Sequence, residues 1–166
     1  MRQVIATNDA PKAIGPYSQA IRANSFIFVS GQTPIDPATQ QLVSGTVGEQ
    51  TERVLRNIEA ILKQAGSSMA KIVRCGVFLK DMNDFGAMNE VYAKFFPNDP
   101  PARSTVQVAA LPKGADVEIK KIDPSAATNP LIFPTPDMTA KYHNFQFLSP
   151  DLETSLDELY LDLTGG

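Results

Sequence analysis

Hydrophobic residues recur at three- and four-residue spacing from Gly48 to Gly66, which is the pattern of a helix with one buried face. Charged residues occupy the opposite side, and Gly66 is placed to end the helix. A second set at helical spacing follows Asn83, a residue type that often caps a helix at its N-terminus. The pattern therefore predicts two amphipathic helices. Their buried positions are Val47, Thr51, Val54, Leu55, Ile58, Ile61, Leu62 and Ala65 in the first, and Phe85, Met88, Val91, Tyr92 and Phe95 in the second.

Short segments rich in apolar and β-branched residues flank these helices and are typical of strands. One of them is predicted to stop at Gly31, and the segment between the helices is apolar enough to suit a buried strand. The order of strands, helix, strand, helix and two strands predicts an α/β fold, with two helices packed on one face of a mixed sheet. The predicted strands are 3–6, 25–30, 72–79, 105–108 and 117–119.

Charge is divided unevenly along the chain. The whole sequence has a net charge of −3, whereas residues 124–166, with six acidic residues and one lysine, carry −5 and leave +2 for residues 1–123. Such a division predicts a folded domain at 1–123 and an extension with another role at 124–166. Neither part is basic enough to indicate a nucleic-acid surface. No apolar run has the length of a membrane span and the N-terminus lacks a signal-peptide layout, so a cytoplasmic protein is expected.

The cysteine and histidine content narrows the chemistry. The single Cys75 lies in an apolar run, where a small core residue is expected, and no second cysteine is present for an intrachain disulfide. His143, the only histidine, lies in the extension without a second ligand at a metal-site spacing. We therefore expect neither a metal site nor a Cys–His nucleophile.

Four polar residues lie where a loop or a strand exposes a side chain. Tyr17 follows Gly-Pro in a loop, Ser30 ends a strand, Arg103 enters one, and Glu118 lies within another. By spacing alone, each is typical of a residue that faces water. The segments around them resemble the Rid (YjgF) family collinearly over residues 1–123, and most closely its subgroup of reactive intermediate/imine deaminase A. These segments are AIGPYSQA at 13–20, VSGQTP at 29–34, FLKDMNDF at 78–85, PARSTV at 101–106 and LPKGADVEI at 111–119.

The resemblance implies a chorismate-mutase-like fold and a homotrimer with a site in each cleft between neighbouring subunits. It also implies hydrolysis of reactive enamines and imines, such as 2-aminoacrylate and 2-iminopropanoate, to 2-keto acids and ammonia without a cofactor or a metal. By motif, Arg103 is expected to bind the substrate carboxylate, and Glu118 to orient the attacking water together with the backbone carbonyl of Thr105. The other residues expected to line the pocket are Tyr17, Ser30 and Gly31.

These roles agree with the chemistry of the side chains. A guanidinium forks onto a carboxylate with two charge-assisted hydrogen bonds, which fixes orientation as well as affinity. An iminium carbon is already electrophilic, so a placed water and a proton acceptor suffice. Glu118, beside a cation, is expected to stay ionised near neutral pH. Tyr17 and Ser30 are candidates to bond the nitrogen or to shuttle a proton.

Two positions depart from the family pattern. Many members have cysteine where this chain has Thr105, a change that a contact through the backbone tolerates. The dipeptide 123–124 is Asp-Pro, where relatives usually continue the last strand with small or apolar residues. Proline cannot donate to a sheet ladder, so the last strand is predicted to end there, with the trimer intact.

The extension resembles no family that we can name. Its segment 142–148 alternates like a strand, and 150–163 has an apolar stripe opposed by acids, preceded by the capping residue Ser149. Packing on its own trimer, docking to another protein and an appended origin are all open. The alternative function is thus a trimeric scaffold that presents the extension to a protein partner.

Overall fold

The computed structural model describes residues 2–124, which form one six-stranded sheet and two helices. The strands lie side by side in an order that differs from chain order, and one pair of neighbours is parallel while the others are antiparallel. The predicted α/β fold with a mixed sheet is confirmed. In chain order the elements are β1 (Arg2–Ile5), β2 (Ala20–Ala23), β3 (Phe26–Gln32), α1 (Val47–Gln64), β4 (Arg74–Leu79), α2 (Phe85–Phe95), β5 (Ala102–Gln107) and β6 (Val117–Pro124), and the sheet order is β1-β2-β3-β6-β4-β5.

The two faces of the sheet have different environments. One face packs under α1 and α2, where alternate residues of β4 and β6 such as Cys75, Val77 and Ile119 are fully buried. The expectation that Cys75 is a core residue is confirmed. On the opposite face, Phe28 of β3 and Val106 of β5 are 44% and 45% exposed. Large apolar side chains exposed together on one sheet face are typical of an association surface.

Helix α1 begins with a capping box that the hydrophobic pattern did not reveal. The Thr46 hydroxyl accepts a hydrogen bond from the Glu49 backbone N–H at 3.3 Å, and the Glu49 carboxylate accepts one from the Thr46 N–H at 2.7 Å. The helix ends at Gln64, and Gly66 follows with a φ of 72°, a conformation that glycine adopts without strain. The predicted helix is confirmed, with its start one residue earlier.

Removal of this cap is expected to destabilise the fold. Thr46→Ala leaves the Glu49 N–H without its side-chain acceptor, so the free energy of unfolding should fall by about 1 kcal/mol. Urea denaturation followed by circular dichroism measures the change, and Ser44→Ala, at an exposed position just before the helix, is the control. Equal midpoints for the Thr46 and Ser44 variants would show that the cap contributes nothing.

Two local predictions were wrong, and one strand was missed. Strand β3 does not stop at Gly31 but continues to Gln32, across a register shift between Val29 and Gln32. The strand β2 was not predicted, because only four residues pair there. Asn83 does not cap α2; it lies in a 3-10 turn at 82–84, where its N–H donates to the Asp81 carboxylate at 2.9 Å.

The last strand includes Pro124, which pairs with Phe26 of β3 and is the last described residue. The predictions for 142–148 and 150–163, and the role of the extension, fall outside the described residues. Within residues 2–124, neither helix has both the length and the apolar content needed to span a lipid bilayer.

Candidate active site

A buried glutamine fixes the loop that carries Tyr17. The Gln19 side chain is 5% exposed and donates to the backbone carbonyls of Thr7 at 3.0 Å and Pro11 at 2.7 Å, while its own oxygen accepts from the Thr7 N–H at 2.7 Å. A buried amide with these partners holds two ends of an irregular loop together. Residues 7–19 are thereby attached to the start of β2.

Tyr17 and Ser30 reach the same cavity from this loop and from β3. Tyr17 is 48% exposed, and its hydroxyl accepts a long 3.3 Å hydrogen bond from the Ile14 N–H. The Ser30 hydroxyl donates to the Ser18 carbonyl at 2.7 Å. Because its proton is committed there, Ser30 can offer only its lone pairs to a ligand, which suits it to accept a hydrogen bond from an amine or a water.

Glu118 projects from β6 into a cavity of about 330 Å³. Gly31 of β3 lies against this side chain, and a Cβ at that position would lie 2.8 Å from Cδ of Glu118. Real side chains do not approach so closely, so glycine is required for the carboxylate to occupy this place. The cavity is lined by Ile14, Tyr17, Ser30, Gly31, Thr33, Pro112 and Glu118.

The electrostatic environment of Glu118 differs from the expected one. Burial raises the pKa of its carboxyl above the usual glutamate value, and the nearby Lys120 ammonium opposes that rise. Lys120 lies on the same sheet face, two residues along β6, with its ammonium 5.0 Å from the centroid of the Phe78 ring. The cation that favours the ionised form of Glu118 is therefore Lys120 and not Arg103.

Arg103 lies on the helix-covered face of the sheet. It pairs in register with Cys75, whose side chain is fully buried beneath the helices, so both side chains share that face. Its guanidinium carbon lies 4.6 Å from the centroid of the Tyr92 ring and 5.5 Å from that of Phe85. No carboxylate among residues 2–124 forms an ion pair with it.

Arg103 and Glu118 do not meet within one chain. Glu118 pairs with Phe78, which alternates to the opposite face from Cys75, so the two charged side chains lie on opposite faces of the sheet. Strand β4 also separates them, which adds two strand spacings, or about 10 Å. The structure thus brings Tyr17, Ser30, Gly31 and Glu118 into one cavity and places Arg103 elsewhere.

Thr105 lies with Arg103 on the edge strand β5. The Ala102 N–H donates to the carbonyl of Val73, just before β4, at 3.0 Å, and the Val108 N–H donates to Leu79 of β4 at 2.9 Å. The alternate residues 103 and 105 therefore direct their backbone groups towards the open edge. The Thr105 carbonyl is therefore accessible from that edge. Its hydroxyl oxygen is buried without a hydrogen-bond partner in the described part of the chain.

Sequence reasoning missed Gln19, Lys120 and the aromatic neighbours of Arg103. Lys120 is two residues from Glu118, so alternation along a strand predicts that both side chains lie on one face. The sequence alone therefore contained the signal for this pair. The burial of Gln19 could not be predicted from the neighbouring residues, because a glutamine in a loop usually faces water. Residues 2–124 contain no group of three or more His, Cys, Asp or Glu side chains arranged to hold a metal ion.

Comparison with known proteins gives consistent matches to the same part of the chain. The sequence profile of the family described as Endoribonuclease L-PSP matches residues 7–123. A RutC family protein of Pyrococcus horikoshii is 53% identical over 122 residues, which are 74% of this chain and 97% of that protein. The 2-iminobutanoate/2-iminopropanoate deaminase of Mus musculus is 49% identical over 122 residues, 74% of this chain and 90% of its own length. The crystal structure of Escherichia coli TdcF with bound serine superimposes with a TM-score of 0.72 at 42% identity, over 75% of this chain and 99% of that one.

Proposed function

Because the chain belongs to the endoribonuclease L-PSP (Rid) family, which includes imine deaminases, we propose that it hydrolyses small 2-imino acids and their enamine tautomers to 2-keto acids and ammonia. The observation that carries this proposal is the half-buried Glu118 carboxylate in a small cavity beside the hydroxyl groups of Tyr17 and Ser30. These groups suit the activation of water at an electrophilic carbon and require no covalent nucleophile.

The substrate carboxylate would be held by Arg103. The guanidinium has no ion-pair partner among residues 2–124, and its planar fork matches a carboxylate with two parallel hydrogen bonds. This clamp fixes C2 of the substrate at a set position relative to the attacking water, which lowers the entropic part of the barrier. The TdcF structure contains bound serine, a small molecule that carries a carboxylate of the same kind.

Hydrolysis then proceeds by addition and elimination. Glu118 accepts a proton from the water as the water oxygen bonds to C2 of the iminium, and the Thr105 carbonyl accepts the hydrogen bond of the other water proton. The tetrahedral intermediate collapses when the proton passes to nitrogen. As the C–N bond breaks and ammonia leaves, the hydroxyl proton of the intermediate passes to Glu118 and the C2 carbonyl of the keto acid forms. Tyr17 and Ser30, which line the same cavity, would hydrogen-bond the nitrogen during this transfer.

The site would be completed by a second copy of the chain. Arg103 and Glu118 lie on opposite faces of one sheet, so a cleft that contains both requires the Arg103 edge of one protomer against the Glu118 cavity of its neighbour. Such a contact is heterologous, and it closes into a ring when the rotation between neighbouring protomers divides a full turn evenly. We propose a trimeric ring, and the exposed Phe28 and Val106 of the open sheet face are suited to line its interior.

Deamination can be measured by generating the short-lived imine in the assay mixture. An amino-acid oxidase supplies 2-iminobutanoate, and the protein should accelerate the appearance of 2-oxobutanoate above the spontaneous rate. Product release that stays at the spontaneous rate across a wide range of protein concentrations would exclude this function.

Mixed assembly tests whether the cleft is shared. We expect Arg103→Ala and Glu118→Gln each to be inactive alone. When the two variants are unfolded together in equal amounts and refolded, roughly a quarter of the clefts should combine an intact Arg103 with an intact Glu118 from the neighbour. The mixture should therefore recover about a quarter of the wild-type activity. A mixture as inactive as its parents would place both groups within one protomer and overturn the shared cleft.

RNA cleavage is less well supported by these residues. Phosphodiester hydrolysis near neutral pH is usually carried out by a base and an acid with pKa values near 7, most often histidines. Residues 1–123 contain no histidine, and the sequence pI is about 5.1. An acidic protein gains little binding free energy from contacts with the phosphate backbone of RNA.

A further inference from the structure

The guanidinium of Arg103 rests on two aromatic rings of α2. Phe85 and Tyr92 are seven residues apart, two helical turns, so both rings lie on the same face of the helix. Tyr92 is 4% exposed and its centroid is 4.6 Å from the guanidinium carbon, while Phe85 is 37% exposed and 5.5 Å away. The inner ring thus supports the guanidinium within the protein, and the outer ring borders it at the surface.

A guanidinium stacked on a ring keeps all its N–H groups in the plane, free to bind a ligand at its edge. An unsupported arginine loses rotamer entropy when it binds a carboxylate, and a supported one has already lost it. The Tyr92 hydroxyl takes no part in this support. It is buried and faces the Cys75 thiol in the core. The ring face, and not the hydroxyl, therefore acts on Arg103.

We propose that Tyr92 is a positioning residue for substrate binding, which holds the Arg103 guanidinium in the orientation that forks onto the carboxylate of a 2-imino acid. Phe85 assists at the outer edge. This inference rests on the proposed deaminase function and extends it to a residue that does not touch the substrate.

The test measures binding of 2-oxobutanoate, the stable product, by isothermal titration calorimetry. Tyr92→Leu should weaken binding about tenfold because the ring face is lost. Tyr92→Phe, which keeps the ring, should bind within twofold of wild type, and Phe85→Leu should bind about two- to threefold more weakly. Phe95→Leu is the matched control: Phe95 lies on the same helix and stacks under Arg56 at 4.9 Å, so its loss should leave binding unchanged.

A second readout is independent of any ligand. The Nε–Hε NMR signal of Arg103 should report a restricted side chain in wild type and Tyr92→Phe, and an averaged one in Tyr92→Leu. A folded Tyr92→Leu with wild-type affinity and a restricted signal would overturn the proposal, as would a Tyr92→Phe variant as weak as the leucine. If Tyr92→Leu shows no cooperative thermal unfolding, the affinity of Phe85→Leu for 2-oxobutanoate and its Arg103 signal test the aromatic support instead.

The two proposals fail in different ways. Absence of binding and of deamination in the wild type, with a restricted Arg103 signal that depends on Tyr92, would reject the deaminase and keep the support of the guanidinium. Binding that is lost in Arg103→Lys but unchanged in every Tyr92 and Phe85 variant would keep the deaminase and reject the positioning role.

Discussion

Arg103→Lys is expected to reduce kcat/KM for 2-iminobutanoate by roughly 100-fold, and Arg103→Ala by 1,000-fold or more. Lysine keeps the positive charge but presents a point donor in place of the planar fork. The substrate would then bind without a fixed direction, and C2 would move away from the water that Glu118 is proposed to orient. The loss should appear in both kcat and KM, because orientation and affinity depend on the same two hydrogen bonds.

Arg56→Lys is the control for this result. Arg56 is also an arginine over an aromatic ring, with its guanidinium 4.9 Å from the Phe95 centroid, but it lies on α1 and pairs with Glu52 and Glu59. Its replacement should leave both kinetic constants unchanged, since surface ion pairs of this kind contribute little. Equal rates for Arg103→Lys and wild type would remove the carboxylate clamp from the mechanism.

Glu118→Gln is expected to lower kcat by roughly 100- to 1,000-fold, because the amide cannot accept the proton of the attacking water. In the wild type, activity should fall as the pH decreases through the pKa of Glu118. Burial raises that pKa, so the acid limb of the pH–rate profile should lie above the usual glutamate range. Deamination rates measured between pH 4 and 9 give the position of this limb.

The charge of Lys120 is expected to influence the pH at which the acid limb of the profile lies. Its ammonium lowers the pKa of Glu118 against the effect of burial, so Lys120→Met should raise the pKa further and shift the limb to higher pH. The plateau rate at alkaline pH should be retained. Lys63→Met, which removes a lysine of α1 paired with Glu59 at 3.3 Å, is the control and should leave the profile in place. An acid limb that does not move in Lys120→Met would mean that another group titrates.

The helices could be predicted from the sequence because their signal is local and long. Helix α1 has eighteen residues with one apolar face, so its position could be predicted without knowledge of its tertiary contacts. Strand β2 has four residues and gains its identity only from pairing with β1 and β3, which a local window does not contain. Gly31 was taken as a strand end because glycine often interrupts strands, whereas its function is to leave room for the Glu118 carboxylate.

The candidate site was predictable by residue type and not by arrangement. The motifs indicated Tyr17, Ser30, Arg103 and Glu118 together, and the structure separates Arg103 from the others by the thickness of the sheet. Alternation along two paired strands decides this separation, so the strand register must be known before the faces can be compared. The support of Arg103 by Tyr92 depends on how α2 crosses the sheet edge, which no sequence spacing specifies.

The burial of Glu118 also links proton uptake to folding. Since its pKa is higher in the native protein than in the unfolded chain, the native state holds that proton more tightly. The contribution to stability is fully present below the ordinary glutamate pKa and is lost as the pH rises through the raised one. The fold is thus weakened in the same pH range in which the carboxylate would act as the proposed base, and Glu118→Gln should give a more stable protein with low activity.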